Sequence, residues 1–510
     1  MSGVERSALL DPPPPPESGA PDASLAGAAT AGSAAHNQAI ATGVMWQGAL
    51  RWLSQVLAWT ATIVVARRLS PADYGIAGSA SILVGLFSLL TDGGMARAIV
   101  MRRDRDEHVV ESMHAASMLT GIALALVMIA IAYPVSVFYA EPRIAAVVMT
   151  LSIVMVLSGA TAVPLGVMQQ SLQYKQLAAI DFSRASAQAL SVLGCAVMGL
   201  GYWSLTIGLI VGYVVAFVGA RRFVHLTPRR PTRQAVAPTI RYASHLIVTS
   251  IAWYLYSHAD FAVVGRVAGL TALGYYQFAW NVAQLPGEKL ANVLQAVVSP
   301  FFASIGDDRA SLRHYFLILS ELLVSVMFPI LVGFALVSPI AVPILFGAKW
   351  MVSVPVMQVL VICAALSCVS LLSQHVLSAT GQASFAARLN LAALAVLPLS
   401  FYLAARLSGP LAVAFVWLAA QPVLITIPLF RLRQTIDLSV FQYFRELRAP
   451  AACTALMAIS VFIARGLLLS LAPIVQLLAL ILIGASVYIA SMLLLFRGHV
   501  DAIAAIWRNR

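Results

Sequence analysis

Apolar residues in this chain fill whole stretches instead of alternating or marking one helix face. From about residue 43 onward, runs near 20 residues long follow one another with only short polar breaks, each long enough to cross a bilayer as a helix. They fall at 43–66, 75–100, 113–138, 144–167, 179–200 and 203–222. After a basic break come 243–266, 274–299, 316–338, 352–378, 385–406 and 409–430, and then a last pair at 450–470 and 473–496. The pattern predicts an all-α polytopic membrane protein of about 14 transmembrane helices, grouped as six, six and two.

Local punctuation repeats along the chain. His258–Tyr276 reads HADFAVVGRVAGLTALGYY, so that Val264-Gly265-Arg266 leads to Leu273-Gly274. Val65-Ala66-Arg67 leads to Tyr74-Gly75 at the same spacing, 199 residues earlier. Two helix–turn–helix units of one design imply an internal duplication. With six spans in each half both copies share one orientation, and their symmetry axis lies along the membrane normal. The organisation expected is a disordered cytoplasmic tail at 1–40, an N-lobe at 41–222, a basic cytoplasmic loop at 223–242 and a C-lobe at 243–430. A segment at 431–510 follows, holding an amphipathic loop, the last helix pair and a cytoplasmic tail.

Composition agrees with the pattern. The chain is 60% hydrophobic and 10% charged, where a soluble protein carries about a quarter charged residues. The formal charge of +12 does not indicate nucleic acid, because the cations sit in short loops. Placing both termini in the cytoplasm puts Lys and Arg on the inner loops at roughly three to one, as the positive-inside rule requires. The Pro/Ala/Gly/Ser-rich tract at 1–40 reads as a disordered tail without the plan of a signal peptide. Val440, Phe441, Phe444 and Leu447, set among Arg445, Glu446 and Arg448, predict a short interfacial helix. Cys195, Cys363, Cys368 and Cys453 all lie in apolar spans and read as small buried hydrophobes, with no metal set around them.

Ionisable side chains inside spans are costly and mark candidate sites. Arg51 and Asp92 each lie eight residues from the inner end of their spans, roughly 12 Å deep, and can pair across adjacent helices. Asp260 has no cation at its own depth, with Arg266 above it. Glu288 and Lys289 follow Pro286-Gly287, and adjacent helical residues point about 100° apart, so at least one faces the bundle interior. Arg51, Lys289 and Arg266 are candidates for an anionic substrate. Asp92, Asp260 and Glu288 are candidates for ion coupling or charge pairing. His245, His258 and His375 could carry protons, though isolated histidines on apolar helices are more often ordinary core residues. Prolines interrupt many spans and supply hinges. The sequence has no nucleotide-binding, zinc-hydrolase or nucleophile-elbow motif, and neither a cofactor nor a catalytic residue is expected.

The run LSPADYG (69–75), followed by LTDGGMARAIV (90–100), resembles the amino-terminal signature of Wzx-type polysaccharide flippases of the MOP exporter superfamily. DFAVVGRVAGLTALGYYQFAWNVAQLP (260–286) and PILFGAKW (343–350) are similar to that family's second-half patterns. The resemblance runs from about Gly43 to about residue 500. It implies two six-helix lobes around a central cavity in a bacterial inner membrane. The implied substrate is an undecaprenyl-diphosphate-linked oligosaccharide, flipped for exopolysaccharide or lipopolysaccharide biosynthesis under an ion gradient. A polysaccharide polymerase and export machinery are implied partners. A drug/cation antiporter of the same superfamily and a membrane polymerase or glycosyltransferase are the alternatives; the first lacks a reason for Arg51 and Lys289, the second an extramembrane catalytic loop.

Overall fold

The computed structural model describes residues 53, 55–92, 99, 106–227, 229–305 and 308–496, with only the backbone of 92, 233–248, 286–301, 303–304, 379 and 383. These residues form helices and no strand. In chain order they are α1 (55–68), α2 (Pro71–Asp92), α3 (Glu107–Tyr139), α4 (Arg143–Gln170), α5 (Tyr174–Val197), α6 (Trp203–Phe223) and α7 (Arg233–Val267). There follow α8 (Leu270–Ile305), α9 (Arg309–Leu345), a 3₁₀ turn (Ala348–Ser353), α10 (Val354–Ala379), α11 (Ala383–Ile436), α12 (Val440–Leu467) and α13 (Pro473–Leu495). Helix α11 is two arms. Its backbone leaves helical geometry at Ser408 and Gly409, the latter at φ 71°. The Trp417 ring then returns to 5.2 Å from Phe401, which a straight helix would hold far apart.

Nine helices among the described residues are long and apolar enough to cross a membrane, with both arms of α11 inside one of them. Helices α5, α7 and α8 are comparably long but more polar. The last two carry Asp260, Glu288 and Lys289. Polar helices of this kind are stable in a bilayer only when their polar faces turn toward protein or water.

Packing follows the duplication. In the first half α4 sits against α2, α3 and α6; in the second, α10 sits in the same way against α8, α9 and α11. The closing pair α12–α13 packs on α9, where Met457, Val461 and Leu480 meet Val337 and Ala341. The Tyr488 hydroxyl there donates to the Ser325 carbonyl at 2.6 Å. The halves join through α2 against α8, with α7 also touching α2 and α3.

The α2–α8 crossing is reciprocal. A Cβ on Gly75 would fall 2.0 Å from the Leu270 carbonyl oxygen, and one on Gly274 would fall 1.7 Å from the Pro71 carbonyl oxygen. Leu270 is the counterpart of Pro71 at the repeat spacing, as Gly274 is of Gly75. A contact in which i meets j while j′ meets i′ is the mark of a two-fold axis. Both glycines are there because two backbones pass too close for a side chain.

Two boundaries differ from the sequence reading. Helix α7 begins at Arg233, after Thr232 in an extended conformation, so its polar first turns take up half of the segment read as a basic loop. The interfacial helix expected around 440–448 is not separate, because α12 runs unbroken through Pro450. Its first turns are anchored in the core: the Tyr443 ring stacks on Phe316 at 5.3 Å and its hydroxyl donates to the Val369 carbonyl.

Candidate functional site

Three sequence signatures meet at one end of the bundle. Ser70 and Asp73 begin α2 as a reciprocal cap: the Ser70 hydroxyl accepts from Asp73 N–H at 3.2 Å, and Asp73 Oδ2 accepts from Ser70 N–H at 2.9 Å. Pro71 takes the first helical position, where its missing N–H costs nothing. The other carboxylate oxygen accepts from Tyr202 N–H at 3.1 Å, tying this turn to the α5–α6 connection. Tyr74 then meets Trp350 edge-on at 5.1 Å, and Trp350 stacks on Phe278 at 4.0 Å. Trp350 reaches this place because Gly347 turns the chain at φ 103°.

Around that aromatic cluster the two halves cap each other's helix ends. The last carbonyls of a helix have no internal donors and carry partial negative charge. At the end of α1, Ala66 O accepts from Trp350 Nε1 at 2.9 Å, and Arg67 O and Leu69 O accept from Lys349 Nζ at 2.8 and 2.6 Å. At the end of α9, Leu345 O accepts from Arg67 Nε at 2.8 Å and Ile344 O accepts from the same guanidinium. Each lobe's cation therefore satisfies the other lobe's helix terminus. Such an arrangement exists only while this face is closed.

The second candidate centre lies in the C-lobe. Asp260 of α7 is fully buried. Its Oδ2 accepts from Tyr276 Oη and from Trp417 Nε1, both at 2.8 Å, and its Oδ1 accepts from Phe261 N–H at 2.9 Å. The surrounding rings are Phe261 against Tyr276 at 5.5 Å, Phe261 against Trp280 at 5.6 Å and Trp280 against Trp417 at 5.8 Å. A carboxyl group buried in an apolar bundle needs hydrogen-bond partners, and these supply them with no cation bonded to it among the described residues. Oδ2 has both its donors, whereas Oδ1 retains capacity for a proton or a small cation.

Of the residues singled out from sequence, Asp260 is thus at the centre of a donor cage. Arg266 is not its partner: it is exposed in the last turn of α7. Arg51 lies outside the described residues, and the side chains of Asp92, Glu288, Lys289 and His245 do as well. His258 is half-buried, stacked on Tyr254 at 4.0 Å with Nδ1 3.0 Å from the Tyr254 carbonyl. The sequence reading missed Tyr276, Trp417 and the Arg67–Lys349–Trp350 set. Lys349 and Trp350 lay inside a recognised motif, but their partners are backbone carbonyls, which leave no mark in sequence.

A two-lobed helical bundle with a closed inter-lobe face and a buried acid defines a polytopic helical membrane protein. The model of a family described as polysaccharide biosynthesis protein matches residues 64–355, more than half of the chain, and the chain belongs to that family. It is 27% identical over 304 residues to the lipopolysaccharide biosynthesis protein WzxC of Escherichia coli, covering 58% of this chain and 61% of that one. It is 24% identical over 388 residues to the teichuronic acid biosynthesis protein TuaB of Bacillus subtilis, covering 73% and 78%. The fold is similar to that of the lipid II flippase MurJ in an inward closed conformation, with TM-score 0.70 at 14% identity over 89% of this chain and all of that one.

Proposed function

We propose that this chain is a flippase that carries an undecaprenyl-diphosphate-linked oligosaccharide from the inner to the outer leaflet of a bacterial cytoplasmic membrane. It works by alternating access, and a proton or sodium gradient drives it through Asp260. The family, the biosynthetic names of the relatives and the flippase fold support the substrate class. The observation that carries the mechanism is the Asp260 cage, a buried carboxylate with one oxygen still able to accept.

With both termini in the cytoplasm, the closed face is the periplasmic one. The state described is then the one that loads from inside. Ion binding at Oδ1 would draw charge from Oδ2 and weaken the hydrogen bonds by which Tyr276 and Trp417 tie α8 and α11 to α7. This couples occupancy of the acid to the packing of the lobe. Arg51 and Lys289 are the candidates for the diphosphate, since guanidinium matches phosphate oxygens in bidentate fashion. The protein acts by binding and moving its cargo, as a transporter and not as an enzyme. A polymerase and export machinery would take up the product on the outer side.

The test is the sidedness of lipid-linked repeat units in a strain lacking this protein, read with a periplasm-restricted probe against total extract. Intact units held on the cytoplasmic side, with loss of polymer, support the reading. Units that reach the outer leaflet normally but stay unpolymerised overturn it and return the enzyme alternative.

A further inference from the structure

The two seams between the lobes are related by the repeat but are not alike. At one, Arg67 closes on the end of α9 and is met in turn by Lys349 and Trp350. At the other, its counterpart Arg266 stands exposed, without a hydrogen bond or ion pair among the described residues, while Tyr139 at the end of α3 packs onto Gly265. Beyond α3 the nearest cation in sequence, Arg143, is taken by Glu141 at 2.8 Å. The cationic clasp of the first seam has no equivalent here.

Beneath this second seam lies a cavity of about 290 Å³ bounded by α2, α3 and α7. Leu83, Leu86, Val135 and Phe138 make it apolar, and Tyr254 and His258 are its aromatic wall. Phe138 and Leu255 of its lining are themselves exposed, so the cavity opens at the surface of the bundle. His258 and Ala262 line it at helical spacing, and Arg266 is the next residue of that row, one turn further toward the membrane surface. An apolar slot at hydrocarbon depth therefore ends under a single free guanidinium at headgroup depth.

We infer that this seam is a binding site for one anionic glycerophospholipid, its acyl chain in the α2–α3–α7 cavity and its phosphate on Arg266. The volume is at the low end for ligand pockets and suits part of one chain. One guanidinium suits a phosphodiester, and arginine binds it through paired donors. A diphosphate bearing an oligosaccharide would need further donors and polar room, which this lining lacks. The bound lipid fills the gap that Lys349 and Trp350 fill on the opposite seam. It is a structural lipid of the closed state, separate from the cargo.

The experiment is native mass spectrometry of the purified full-length protein titrated with phosphatidylglycerol, and separately with phosphatidylcholine of the same chains. Wild type is expected to retain phosphatidylglycerol about tenfold better, Arg266→Ala to lose that preference, and Arg266→Lys to keep part of it. Ala262→Trp or, should that variant unfold, Leu83→Trp is expected to lower retention of both lipids by filling the slot. Arg465→Ala removes a cation at the end of α12 and should leave retention unchanged. The inference is overturned if Arg266→Ala retains phosphatidylglycerol as wild type does, or if Arg465→Ala loses it equally. It is overturned too if neither tryptophan variant has an effect, or if undecaprenyl phosphate displaces the phospholipid in an Arg266-dependent way.

Discussion

Gly75 and Gly274 hold equivalent places in the two halves and pass each other with no room for a Cβ on either. This crossing of α2 and α8 ties the duplication in the sequence to the closed face of the structure. Valine at Gly75 or Gly274 would set a side chain into the opposing backbone only while the face is closed. Overpacking of this kind costs roughly 1–3 kcal/mol, enough to change the closed population about 5- to 150-fold. A cysteine placed at the buried Leu69 of a cysteine-free protein should then react several-fold faster with a membrane-impermeant thiol reagent. An unchanged rate would show that the crossing does not hold the face shut.

Lys349→Met keeps the side-chain stem and removes the charge, leaving Arg67 O and Leu69 O without their donor. Arg67→Ala does the same to the end of α9. A hydrogen bond from a charged group contributes about 1.5–3 kcal/mol. Because both variants open one interface, the double variant should open it less than additively. Spin labels across the seam, read as an inter-lobe distance distribution, would show the shift; strictly additive effects would mean that the two caps act apart.

Ser70→Ala removes the reciprocal cap of α2 and should cost about 1 kcal/mol. Asp73→Ala should cost more, since Asp73 also holds Tyr202 N–H at 3.1 Å. Thermal unfolding of the purified variants checks the order. Equal losses would mean that the link to the α5–α6 turn contributes nothing.

Glu141 accepts two hydrogen bonds from the Arg143 guanidinium, at 2.8 and 2.9 Å, and that contact holds its carboxyl below the usual carboxylate range. A folded value below the unfolded one gives stability that is present at neutral pH and lost as pH falls through the folded value. Arg143 is exposed and Glu141 part-exposed at the surface, so the pair contributes less than about 1 kcal/mol. The melting difference between wild type and Glu141→Gln should be small at pH 7 and shrink toward pH 3. A difference that grew on acidification would contradict the assignment.

The duplication, the division of 385–430 into two spans and the position of the buried acid were legible because each rests on local sequence: a repeated motif, apolar run length, a charge inside a span. The partners of Asp260 were less so. Tyr276 stood within the repeated segment but carried no sign of its aim, and Trp417 is 157 residues away on the second arm of α11. The inter-lobe caps were hidden for a different reason, since helix-end carbonyls belong to every sequence. The stretch at 440–448 is helical and two-faced, with Phe441 and Phe444 exposed and Tyr443 and Leu447 buried; that it continues into α12 without a break was not legible, because no residue there marks a stop.

The central claim is ion-driven translocation through Asp260, and it is tested most directly in proteoliposomes holding a fluorescent polyprenyl-diphosphate glycan. Transfer between leaflets is followed with and without a proton or sodium gradient, for wild type, Asp260→Asn and Tyr276→Phe. The account predicts gradient-stimulated transfer by wild type, no stimulation in Asp260→Asn and weakened stimulation in Tyr276→Phe. Transfer that is equally stimulated in Asp260→Asn, or absent from wild type under either gradient, would contradict it.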